Sequence, residues 1–149
     1  MITIFNIFIL LSNIKNMATD TYLGNDTGLV ITGEVLTLLA AELNCEDVDE
    51  NDVMSALRDR HIDVVLFPNF SGEAATLEIP GEDTEEQHFD FDDDVCVYIP
   101  VSRTPNLFCT SYPDPDELIE EVTKDIKQFL PDDFDLLPYI CEIRGTYWC

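Results

Sequence analysis

Val95-Cys96-Val97-Tyr98-Ile99-Pro100-Val101 decides the fold class, because Val95, Val97, Ile99 and Val101 fall on one face of an extended chain and Cys96 and Tyr98 on the other. A period of two is the strand period, since successive side chains point to opposite faces. The turn signal Arg103-Thr104-Pro105-Asn106 follows, and Leu107 to Tyr112 is apolar enough to return as an antiparallel hairpin partner.

Towards the C terminus, Asp114 is placed to cap a helix with Pro115 in its first position and Glu117 three residues after the cap. Leu118, Val122, Ile126 and Phe129 then form its apolar stripe, Lys124 and Lys127 fall near its end, and Pro131 stops it after Leu130. Pro138 to Trp148 alternates Tyr139, Cys141, Ile143 and Tyr147 against Ile140, Glu142, Arg144 and Thr146, which reads as a final strand.

Towards the N terminus, Val30 to Arg60 is helical in pattern. Thr32 is a candidate cap for a helix carrying Val35, Leu36, Leu38, Leu39 and Leu43, and Asp49 for a second helix over Asn51 to Arg60 with Val53, Met54 and Leu57 inward. Ile62 to Phe67 reads as a buried strand ending at Pro68-Asn69, and Ala74 to Ile79 as a weaker one before Pro80-Gly81. The order predicts an α+β fold, with a mainly antiparallel sheet of four to six strands and about three helices packed on it. Residues 17–149 are expected to form a single acidic domain. Gly81 to Asp94 reads as a long polar loop.

Residues 1–16 contain the apolar run Ile2 to Leu11. It is far shorter than the ~20 residues of a membrane span. Lys15 follows the run instead of preceding it, and no small-x-small cleavage site is present, so an export signal fits poorly. An extension ahead of Met17 and an edge strand are the better readings, with a cytoplasmic location. The five cysteines, Cys45, Cys96, Cys109, Cys141 and Cys149, show no C-x-x-C spacing. Reduced thiols are the reading that follows.

The dominant chemical feature is charge. Thirty-one Asp and Glu face seven Lys and Arg, for a net charge of −24, over a chain that is 46% hydrophobic. Such a field repels nucleic-acid phosphates and anionic membranes and attracts basic protein surfaces. The hydrophobic fraction, with nine Phe, sets the chain apart from a disordered acidic tail. It also argues against adaptation to molar salt.

Two clusters concentrate the charge. Glu73 to Asp94 holds ten carboxylates and no Lys or Arg, densest at Glu82, Asp83, Glu85, Glu86, Asp90, Asp92, Asp93 and Asp94. Phe89 and Phe91 are interleaved with them, either as interface anchors or as the inward residues of a starting strand. The second cluster is Asp116, Glu117, Glu120, Glu121 and Asp125 on the outer face of the predicted helix, continued by Asp132, Asp133 and Asp135.

Other chemistries find little support. Asp47 to Asn51 opens like a calcium loop, but Asp52 stands where the turn glycine belongs and Arg58 where the bidentate glutamate belongs. His61 and His88 are the only histidines, and neither sits in a nucleophile motif. No phosphate-binding glycine loop or zinc ligand set occurs, so no enzyme, cofactor or metal is expected. The function expected is an acidic inhibitor or nucleic-acid-mimicking decoy that blocks a basic nucleic-acid-binding protein, a character shared in size and charge with phage anti-defence proteins. Direct contact with nucleic acid or membrane is not expected. An immunity protein of a nuclease toxin rests on the same physics, and a weak calcium binder or a structural adaptor are the readings from other classes.

Overall fold

A computed structural model describes residues 21–78, 81, 83, 85–101, 117, 120 and 122–148. Four strands, β1 (Thr21–Val30), β2 (Val65–Thr76), β3 (His88–Pro100) and β4 (Ile140–Trp148), form a closed barrel in the order β1-β3-β2-β4 with every pair antiparallel. Two helices, α1 (Gly33–Glu42) and α2 (Glu50–Asp59), lie between β1 and β2. The fold is α+β with an antiparallel sheet, as the periodicity predicts. The described residues contain two such helices and four strands.

Both helices end in the same way. Cys45 N–H donates to the Ala40 carbonyl and Asn44 N–H to Ala41, while Ile62 N–H donates to Leu57 and His61 N–H to Arg58. This is the Schellman pattern, which needs a left-handed residue after the cap. Asn44 (φ 58°) and His61 (φ 63°) supply it. Asp49 caps α2 through Asn51 N–H at 2.7 Å, which is the role its position predicts. Thr32 occupies the cap position of α1 without a side-chain cap bond.

Several elements depart from the sequence reading. β1 was not expected as a strand at all: Gly24, Asn25, Asp26 and Gly28 are poor strand formers. Its ladder with β4 runs unbroken from Thr21↔Trp148 to Leu29↔Ile140, so tertiary pairing overrides propensity. Val30 belongs to this strand and not to a helix. The expected stop at Pro68-Asn69 is instead a bulge inside one twelve-residue strand. Between Phe67↔Cys96 and Phe70↔Asp94, β2 carries one residue more than β3. Pro68 is tolerated there because a bulge frees the chain from a ladder donor, and Asn69 takes the left-handed turn at φ 47°.

The predicted long helix is also interrupted. Glu117, Glu120, Val122 and Thr123 are helical, Lys124 to Ile126 form a turn, and Lys127–Phe129 is a 3-10 turn. Val122, Thr123, Ile126 and Leu130 are buried along this segment. The hairpin partner Leu107 to Tyr112, the caps Asp114 and Pro115, and the apolar run Ile2 to Leu11 lie outside the described residues.

Two cores result. One joins α1 and α2 to the outer side of the barrel through Leu29, Ile31, Val97, Ile99 and Ile140, with Val35, Leu39, Val53 and Leu57 from the helices. The other fills the barrel with Phe67, Phe70, Ala74, Cys96, Tyr98, Cys141 and Ile143. A four-stranded barrel has a narrow interior, and glycines make the room. Gly24↔Gly145 and Gly72↔Gly145 are register pairs, so three glycines form a row across β1, β4 and β2. The fully buried Phe70 ring lies on this row, and a Cβ added to Gly145 would sit 2.6 Å from its edge. Phe67 stacks on Phe70 at 5.4 Å and on Tyr147 at 4.4 Å. Buried Tyr98 donates its hydroxyl to Asp26 at 2.7 Å, which ties β3 to β1 inside the barrel.

Two outcomes are expected. Gly145→Ala drives a methyl into both Phe70 and the β2 backbone, so it should cost at least about 1–3 kcal/mol, read as a lower urea midpoint at unchanged slope; an unchanged midpoint would contradict the glycine-row packing. Burial pushes the Cys96 and Cys141 thiols up from 9.0 to about 12, with the neighbouring Cys141 adding to the shift at Cys96 and a Thr76 hydrogen bond opposing it at Cys141. Unfolded thiols ionise first as pH rises. Stability from this source is therefore constant below pH 9 and falls between 9 and about 12, by up to about 1.4 kcal/mol per pH unit per thiol. A Cys96→Ala/Cys141→Ala protein should show a shallower alkaline decline in denaturant titrations.

Candidate acidic interface

Strand geometry positions the first cluster. β3 begins at His88, so Phe89 to Asp94 belong to a strand and not to the expected loop. Phe89 and Phe91 turn towards the barrel core, where Phe91 meets Phe70 edge-on at 5.7 Å and Phe89 stacks on Tyr139 at 5.5 Å. They are inward strand residues and serve as anchors of the fold. Asp90 and Asp92 consequently face solvent.

A second bulge then changes the alternation. Between Gly72↔Phe91 and Phe70↔Asp94, β3 carries one residue more than β2, and Asp93 adopts φ 60°. The extra residue re-aims the strand, so Asp92, Asp93 and Asp94 are all exposed in succession. Ser71 donates its hydroxyl to Asp93 at 2.7 Å across the pair. Without the bulge, strict alternation would send one of these carboxylates towards the core.

The register sets one cross-strand row around the barrel, acidic on β2 and β3 only. Asn25, Arg144, Glu73 and Asp90 are paired neighbours on four successive strands, β1, β4, β2 and β3. Arg144 is the only Lys or Arg among the described strand residues, and Glu142 engages it through Nε at 2.6 Å and through Nη2. His88 lies 2.8 Å from Glu86 and 3.9 Å from Glu73. Asp83, Glu85 and Glu86 are exposed in the connection leading to β3; Glu82 lies outside the described residues.

The second cluster is less uniform. Glu117, Glu120, Asp125, Asp132 and Asp133 are exposed, while Asp116 and Glu121 lie outside the described residues. The break after Thr123 puts Asp125 in a turn, so the regular helical row of carboxylates expected from the sequence does not form there. Exposed Lys124 and Lys127 flank Asp125, and Arg60 lies over the Phe129 ring at 5.7 Å. This face is of mixed charge.

The structure brings Asp133 to the base of the acidic hairpin. Asp133, Phe134, Asp135 and Tyr139 share a groove of about 470 Å³ with Glu34 of α1 and Gln87, the residue before β3. Sequence reasoning singled out Asp133 but not Glu34, Phe134 or Tyr139. The available signal was the interleaving of Asp132-Asp133-Phe134-Asp135, the same acid and aromatic pattern as Phe89 to Asp94.

No group of three or more metal-ligating side chains occurs among the described residues. No described helix is long and apolar enough to cross a membrane.

The bulge makes a separable prediction. Asp93→Gly and Asp93→Val both lose the Ser71 hydrogen bond, but only valine strains the left-handed backbone, so Asp93→Val should be less stable than Asp93→Gly by about 1–2 kcal/mol in urea denaturation; equal stabilities would remove the bulge from the account of this surface. Comparison with protein-family models, with curated proteins and with solved structures returns no match.

Proposed function

We propose that this protein is an acidic binding inhibitor whose β2–β3 hairpin face occupies the nucleic-acid-binding surface of a basic protein. The observation that carries this reading is the exposed run Asp92-Asp93-Asp94, extended by Asp90 and Glu73, on a hairpin whose described residues include no Lys or Arg. Three consecutive exposed carboxylates at the bulge, with Asp90 and Glu73 beside them, concentrate negative charge on one face of the hairpin. Long-range attraction from a net charge of −24 would speed encounter, and occupation of the basic surface would exclude nucleic acid. The mechanism is competition and involves no turnover, cofactor or metal.

The mixed helical face is assigned a lesser role, because Lys124, Lys127 and Arg60 lie beside its carboxylates.

The test is capture of basic nucleic-acid-binding proteins from the host lysate at low salt, followed by titration of the recovered protein and competition with duplex DNA. Affinity should fall by about tenfold or more between 50 and 200 mM salt, and DNA should compete. Asp90→Asn/Asp92→Asn/Asp94→Asn should weaken binding far more than Glu117→Gln/Glu120→Gln. Binding indifferent to salt, or reduced equally by both sets, would rule the hairpin reading out.

A further inference from the structure

We propose that the groove between α1 and the segment leading into β4 receives an arginine side chain of the partner. This deepens the reading above and rests on it for the identity of the partner, though not for the chemistry of the site.

One wall of the groove is aromatic. Tyr139 lies at 6.0 Å from Phe134, and behind Tyr139 the Phe89 ring is stacked at 5.5 Å, so three half-buried rings run from β3 to the groove. The rim is anionic: Glu34 comes from the first turn of α1, and Asp133 and Asp135 bracket Phe134. Leu137 N–H donates to Asp135 Oδ1 at 3.1 Å, which holds that carboxylate in place. Pro131 and Pro138 bound the segment, and their fixed φ stiffens it.

This combination selects a flat cation. A guanidinium is planar, less strongly hydrated than an ammonium and able to lie against an aromatic surface while its edge donates to carboxylates. Glu34, Asp133 and Asp135 supply acceptors and Phe134 and Tyr139 supply the surface. A lysine ammonium would satisfy the charge but not the planar contact. A groove of about 470 Å³ exceeds the volume of one side chain and leaves room for the flanking backbone of a peptide. The groove also reaches Gln87, the residue that follows Glu85 and Glu86 in the connection to β3.

The experiment is an amide NMR titration of the full chain at low salt with N-acetyl-arginine amide and, separately, N-acetyl-lysine amide. The arginine probe should shift Leu38, Phe134 and Tyr139 resonances selectively and bind about two- to fivefold more tightly than the lysine probe. Phe134→Leu, which keeps apolar bulk, and Asp133→Asn, at an exposed position, should each weaken the arginine probe by about two- to fivefold. Glu46→Gln, in the α1–α2 connection, should leave it unchanged. Shifts spread evenly over the acidic surface, equal response to lysine, or full binding by Phe134→Leu would overturn the proposal. Groove binding of the probe without capture of any basic protein would keep this site and remove the inhibitor reading. Capture without groove shifts would do the reverse.

Discussion

The contact of the Phe70 ring with the glycine row Gly24, Gly145 and Gly72 is the constraint on which the rest of the structure depends. A barrel of four strands leaves little interior, and a side chain at these positions would press on the Phe70 ring, on the Phe67 ring or on the facing backbone. With glycine on three strands, the backbone wraps around one aromatic plug and the edges close. Phe67, Phe91, Tyr98 and Tyr147 then pack around it. The exposed carboxylates Glu73, Asp90 and Asp92 of β2 and β3 stand outside this core.

The two bulges link that core to the surface. Asn69 on β2 and Asp93 on β3 are both left-handed, and each inserts an extra residue opposite the other strand. Bulges bend and twist a strand, which a small barrel needs. The second one also exposes three consecutive aspartates. The same local distortion therefore serves both the curvature of the sheet and the charge density of its face.

The described cations are largely directed at the protein itself. Arg144 is held by Glu142, Arg58 donates to the Val64 carbonyl at 2.8 Å, and Arg60 donates to Ala56 and lies over Phe129. These contacts fasten a strand, the start of β2 and the Phe129 turn within the second acidic cluster. No described Lys or Arg lies on the β2–β3 hairpin itself. Self-repulsion of such a surface opposes compaction, so the two apolar cores carry the stability.

Much of this was legible in the sequence. Helices α1 and α2, the cap at Asp49, the inner half of β3 and the whole of β4 follow from hydrophobic periods of 3.6 and 2 and from capping chemistry, all of which act over a few residues. The net charge and its concentration in Glu73 to Asp94 are equally local facts. Tertiary structure alone decided the rest. β1 is a strand because β4 pairs with it, and β2 runs through Pro68 because a bulge absorbs the missing donor. The groove around Phe134 and Tyr139 joins α1 to residues about a hundred positions away. Such contacts form only when distant segments are folded together, and no short-range pattern encodes them.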